Sequence, residues 1–185
     1  MAAEFEIACT CGAFRARVHD VVPETTNRLI CYCESCQRAA RELGRDDVLE
    51  EGGGTDYAQI AADQVEVLSG GENLACRRFT PRGPLRWYVT CCDTPVCNTM
   101  PSAAFPTAAF LRRAVGVPEE PIGPVIGQFF RREATARVPQ VGLGRGWPAV
   151  LGRFMLIVWK ARRRGAHRRN PFLGSDGRPV ARVQG

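Results

Sequence analysis

Cys31-Tyr32-Cys33-Glu34-Ser35-Cys36, preceded by Cys9-Thr10-Cys11-Gly12, decides how this chain is read. Three thiols within six residues can close around one metal ion with only local folding. On a strand, residues i and i+2 share a face, so Cys31 and Cys33 can aim two sulfurs at one point, as can Cys9 and Cys11. A tight turn after Cys33 would return Cys36 beside the first two. Thiolate donors favour zinc over magnesium or calcium, and over iron unless a cluster is assembled. Three protein ligands leave a zinc with an open position, whereas four close it. A buried free cysteine behaves as a small hydrophobe, and that explains a single one. It does not explain three in six residues, and the spacing predicts a metal site at Cys31, Cys33 and Cys36 with room for chemistry.

The remaining cysteines, Cys76, Cys91, Cys92 and Cys97, also lie in the first hundred residues. Nine is an odd number, so the thiols cannot all pair within the chain. The opening MAAEFEIACT has neither a basic segment nor an apolar core of the secretory kind, which leads to the expectation of a cytoplasmic, reduced protein. The longest apolar run, Phe154 to Trp159, is far shorter than the roughly 20 residues that span a bilayer. Charge is unevenly spread. Residues 1–100 carry a net −5 and residues 101–185 a net +11, which sum to +6. Composition thus predicts a cysteine-bearing β domain over 1–100 and a basic, mostly helical extension over 101–185.

Within the front half, Phe5, Ile7 and Cys9, then Phe14, Ala16 and Val18, alternate as a hairpin does. Asn27–Cys33 reads as a third strand, followed by a short helix through Gln37–Leu43 and an acidic, glycine-rich loop over Arg45–Thr55. Strands are expected at Tyr57–Ala61, Val65–Leu68, Leu74–Phe79 and Leu85–Cys91. Beyond Pro101, helices are expected at Pro106–Val115, Val125–Ala136 and Trp147–Arg164. The last has Pro148 in its first turn, Gly165 past its end and cations in its final turn. From His167 the chain reads as extended.

C-x-C-G, then C-x-C-x-x-C at the end of a strand, then an aromatic-rich strand running into Cys92-Asp93-Thr94-Pro95, resembles the glutathione-dependent formaldehyde-activating (GFA) family, which includes the centromere protein V domain. The resemblance covers about residues 5–100. It implies a mainly β, β-tent fold of small antiparallel sheets with zinc knuckles. It also implies a catalytic zinc on Cys31, Cys33 and Cys36, and a structural zinc on Cys9, Cys11 and Cys92. The family's partner cysteine falls where this chain has Val89, so Cys91 is the nearest substitute, with Cys97 and Cys76 as further candidates. Asp93 replaces a glycine of the knuckle, and Tyr32 stands where the family often has His.

The activity so implied is that of a carbon–sulfur lyase, an S-hydroxymethylglutathione synthase, handling the formaldehyde adduct of a thiol such as glutathione. A metal-coordinated thiol is deprotonated, which makes a nucleophile at neutral pH. Arg28, Arg38 and Arg41 flank the motif as candidates for glutathione's carboxylates. His19 and His167 are isolated and read as surface or packing residues. The competing class is a non-catalytic zinc module acting as a nucleic-acid or protein adaptor through the basic extension. A redox sensor on Cys91-Cys92 is a third reading. Arg162-Arg163-Arg164 with His167-Arg168-Arg169, and the aromatics Trp147, Phe154 and Trp159, would suit nucleic acid or a membrane surface. A solvated helix end explains that run more simply, so neither partner is expected from the sequence.

Overall fold

The computed structural model describes residues 2–141 and 146–184. In chain order its elements are β1 (Ala3–Ala8), β2 (Arg15–Val21), β3 (Asn27–Cys31), α1 (Glu34–Arg41), β4 (Thr55–Ala61), β5 (Val65–Ser69), β6 (Leu74–Arg77), β7 (Leu85–Val89), β8 (Pro95–Thr99), β9 (Thr107–Leu111), α2 (Arg112–Val115), β10 (Gly127–Phe129), α3 (Gly146–Arg163) and β11 (Val183–Gln184). They form a three-stranded sheet, β1-β2-β5, and an eight-stranded one, β10-β3-β4-β9-β8-β7-β6-β11. Only the edge strands β10 and β11 run parallel to their neighbours, β3 and β6; every other pairing is antiparallel.

The β1–β2 hairpin forms as its alternation predicts. Ile7 sits opposite Ala16 and Phe5 opposite Val18, with Ile7, Ala16 and Val18 turned into the core. Strand β7 is buried at all five residues because strands cover both its edges and its faces are packed. The short helix and the strands over 55–77 also form where expected, with boundary shifts of a few residues.

Two expected helices beyond Met100 are corrected. Pro106–Val115 is not one helix. Residues Thr107–Leu111 form β9, inserted between β4 and β8, and only Arg112–Val115 turn helical. Ala108 and Phe110 are wholly buried there, so packing between two strands overrides the local helical preference of this alanine-rich segment. Val125–Ala136 is likewise not a helix. Its residues Gly127–Phe129 form β10 along β3, and Phe130 breaks the run with a φ of 55°. Strand β8 was not anticipated at all. The mostly helical extension is therefore replaced by a segment that supplies one strand near the centre of the large sheet and one at each edge. The change at Met100–Pro101 is one of composition; the sheet crosses it.

Helix α3 does form, over Gly146–Arg163, although the side chain of Trp147 lies outside the described residues. It buries Val150, Ile157, Val158 and Ala161, and stacks Phe154 on Phe105 at 5.9 Å. Beyond it, Phe172 is fully buried, 5.4 Å from the Trp87 ring and 6.1 Å from Phe110. Ion pairs tie the acidic front to the basic back. Arg112 pairs with the buried Asp56, and Arg164 and Arg169 with Asp63.

If the back half is integral to the core, Phe172→Ala should cost about 3–5 kcal/mol, the usual range for a buried aromatic cut to a methyl. Urea unfolding of the two proteins measures it. A change under about 1 kcal/mol would mean that the tail packs only loosely.

Candidate metal centre

Two tight turns bring four sulfurs together. Strand β1 ends at Ala8, and Cys9–Gly12 reverse the chain, with Gly12 at a φ of 76° that glycine adopts without a Cβ clash. The Gly12 N–H donates to the Cys9 carbonyl at 2.9 Å, and the Phe14 N–H donates to Cys9 Sγ at 3.3 Å. The second turn joins β7 to β8 and is closed by the Val89 N–H donating to the Thr94 carbonyl at 3.1 Å. Asp93 fills its left-handed position at a φ of 51°, a conformation that Asp tolerates better than most residues. Cys91 and Cys92 lie in this turn, so the alternation of a regular strand does not separate them.

The resulting separations are 3.5 Å for Cys9–Cys11, 3.4 Å for Cys11–Cys91, 3.9 Å for Cys9–Cys91 and 3.8 Å for Cys91–Cys92. Sulfurs about 2.3 Å from a common centre at tetrahedral angles lie about 3.8 Å apart, so this set fits one metal ion. The fit comes from two turns, not from one strand face as the sequence suggests. Cys91 takes the fourth place. Cys76 and Cys97 are buried in the core and belong to neither cluster, and Val89 is a core residue. Beside the cluster, Thr10 and Thr94 hydroxyls meet at 2.9 Å, and Arg45 donates to both at 2.9 Å.

The second cluster is Cys31, Cys33 and Cys36. Cys31 ends β3, Cys33 caps α1, and Cys36 lies in its first turn, where its N–H donates to the Cys33 carbonyl at 2.9 Å. All three sulfurs lie within 4.8 Å of one another. Among the described residues no histidine, carboxylate or further cysteine joins them. Cys31 and Cys36 are buried, while Cys33 is partly open to solvent.

Arg86 and Tyr57 complete the surroundings, and neither was singled out from the sequence. The Tyr57 hydroxyl donates to Cys36 Sγ at 3.3 Å, and Arg86 approaches the same sulfur at 3.6 Å while donating to Ser35 Oγ at 2.8 Å. A lone arginine inside the apolar run Leu85-Arg86-Trp87-Tyr88-Val89 was the available signal, since a buried cation needs a partner. A cavity of about 20 Å³, lined in part by Cys36, Tyr57 and Arg86, lies behind the cluster; it has room for about one water. Over the outside runs the segment around Glu133, whose carboxylate accepts from the Glu34 N–H at 2.7 Å. Gln37 ties its carbonyl to that of Tyr32, donating at 2.9 and 2.7 Å.

Without metal, the thiols of each cluster share protons unequally. Hydrogen bonds from Cys31 and Cys33 outweigh burial and hold Cys36 down at about 2, with help from Arg86 and Tyr57. Cys31 is pushed up by its hydrogen bonds with Cys33 and Cys36. In the other cluster, burial and the neighbouring thiols push Cys91 up to about 12. Burial also opposes ionisation at Cys92, but hydrogen bonds from Thr94 and the backbone bring it down to about 6. Each cluster thus contains one sulfur that is readily anionic, Cys36 or Cys92, beside one that holds its proton, Cys31 or Cys91. A divalent cation displaces such protons when it binds.

Arg28, expected to meet a substrate carboxylate, is committed internally. It pairs with Asp56 and Glu119, at 2.9 Å in each case. Arg38 pairs with Glu42 and lies over the Phe79 ring, and Arg41 donates to Gln37. His19 contacts Asp20, away from both clusters.

In reduced, chelator-treated protein, iodoacetamide should label the partly exposed, readily anionic Cys92 well before Cys91, whose thiol holds its proton, and leave the buried Cys76 and Cys97 unlabelled until unfolding. Adding zinc should protect Cys92. Peptide mass spectrometry reads both results, and early labelling of Cys97 would contradict the placement.

A profile described as a family of unknown function (DUF6151) matches residues 1–184. No curated protein matches the chain. Among solved structures, a Rhodobacter sphaeroides protein, a Northeast Structural Genomics target, is similar at 19% identity and a TM-score of 0.46. The similarity covers 68% of this chain and 99% of that one. The chain belongs to the DUF6151 family, whose function is unknown.

Proposed function

We propose that this chain is a zinc protein of the GFA type, with a β-tent core, a closed zinc on Cys9, Cys11, Cys91 and Cys92, and an open one on Cys31, Cys33 and Cys36. The observation that carries the reading is the contrast between the clusters. One has four sulfurs within 4.8 Å of one another, and the other has three with no fourth protein donor among the described residues. Zinc, when bound at the open site, supplies a Lewis acid for a thiol such as glutathione, and the reaction class is that of a carbon–sulfur lyase acting on a formaldehyde-type adduct.

The chain's own residues divide the remaining work. Three thiolates on a divalent ion leave one negative charge in a buried place, and Arg86, itself buried, offsets it. Tyr57 fixes the orientation of Cys36 through its hydroxyl. The cavity behind Cys36 is too small for a thiol substrate, so the substrate enters from the side of Cys33, which is partly exposed. Arg38 and Arg41, exposed on α1, would meet carboxylates there by exchanging their ion pairs with Glu42 and Asp46.

Metal analysis of protein prepared without chelator should find about two zinc equivalents, one for each cluster. Cys33→Ser should lower this by about one. In cobalt-substituted protein, glutathione should change the visible spectrum, and the change should vanish in Cys33→Ser. Full cobalt loading with no response to any thiol would leave a metal-binding module and exclude the lyase. Arg86→Leu should weaken metal binding at the three-cysteine site by about ten- to one-hundred-fold while leaving the four-cysteine site unchanged. Equal weakening of both sites would mean that Arg86 acts only on folding.

A further inference from the structure

The outer face of α3 combines two features seldom left exposed together. Leu151, Met155 and Trp159 recur every four residues and are 40%, 48% and 53% exposed, with Leu156 beside them at 42%. The opposite face is packed on the sheet, so the helix is anchored and this stripe is not an unformed part of the core. The stripe runs into a cationic end formed by Lys160, Arg162, Arg163 and, after the Gly165 turn, Arg168, all exposed. The Arg163 guanidinium lies 4.9 Å from the centre of the Trp159 ring. Arg164 and Arg169 are spent on Asp63, and no carboxylate among the described residues forms an ion pair with Lys160, Arg162, Arg163 or Arg168. From Ala134 to Ser175 the sequence has nine Lys and Arg and no Asp or Glu.

We propose that this face of α3 docks on an anionic lipid surface, with the helix lying in the plane of the interface. Apolar and aromatic side chains along one stripe, with a cluster of arginines at one end, match acyl chains on one side and headgroup charge on the other. No described helix is long and apolar enough to cross a membrane, so attachment is peripheral. A second copy of the chain fits the same face less well. A two-fold contact sets one patch against itself, which would bring two unneutralised cationic clusters into a single interface. Duplex nucleic acid would use the cations but leave Leu151, Met155 and Leu156 without partners.

The test is co-sedimentation of the full chain, metal-loaded, with vesicles of phosphatidylcholine alone and with about one third phosphatidylglycerol. Binding is expected only with the anionic vesicles, weakening as salt is raised. The double variant Met155→Ser/Trp159→Ser should lower binding by about ten-fold or more, and so should Arg162→Gln/Arg163→Gln. Both variants alter exposed positions, and an unchanged urea midpoint establishes that they fold. Three results would overturn the proposal. They are equal binding to both vesicles, a dimer in light scattering that the Met155/Trp159 variant abolishes, or salt-sensitive DNA binding in a protein that ignores anionic vesicles.

Discussion

The meeting of two tight turns, Cys9–Gly12 and Thr90–Asp93, is the constraint around which this molecule is arranged. It joins the small sheet to the large one through four sulfurs within 4.8 Å of one another and a Thr10–Thr94–Arg45 hydrogen-bonded patch. Four thiols so close cannot all ionise without a cation among them, because like charges at this range repel strongly in a partly buried place. As thiols they make only weak hydrogen bonds. A metal ion held there would turn the junction from a weak contact into a firm one and so fix where β7 and β8 stand relative to β1 and β2. Strand β7 in turn carries Arg86 to the second cluster.

The second cluster depends on a different compensation. Cys31, Cys33 and Cys36 sit where a strand ends and a helix begins, so the C-x-C-x-x-C spacing converges with ordinary backbone. Their charge is met from across the sheet by Arg86 and Tyr57, contributed by β7 and β4. An arginine buried in an apolar strand would be costly by itself. Beside a site that carries a negative charge it becomes stabilising. The ion pairs of Arg28 and Arg112 with Asp56 do the same for the edge where β3, β4 and α2 meet.

The Cys31–Cys33–Cys36 cluster and the Cys9–Cys11 pair were legible in the sequence because their spacing is local, whereas Cys92 followed only from the family resemblance. The choice of Cys91 was legible only in part, since it requires a turn at Thr90–Asp93 that periodicity alone cannot reveal. Arg86 and Tyr57 were missed because their role exists only once β4 and β7 are brought beside α1. Strands β1 and β2 followed their alternation, while β8 left no such signal. Strands β9 and β10 were read as helices because Ala-rich and mixed segments take their structure from neighbours, and β9 has strands on both sides. Charge asymmetry suggested a boundary at residue 101, yet opposite charge is what draws the two halves together, as Asp63 with Arg164 and Arg169 illustrates.

X-ray absorption at the zinc edge of the loaded protein tests the central claim, one closed and one open sulfur site, most directly. Four sulfurs at one site and three at the other predict a first shell averaging about 3.5 sulfurs per zinc at about 2.3 Å, with the remainder a light atom or an added thiol. The sulfur count should rise toward about four when glutathione is added. A shell dominated by nitrogen or oxygen, or a count already at four with only one zinc bound, would contradict the account.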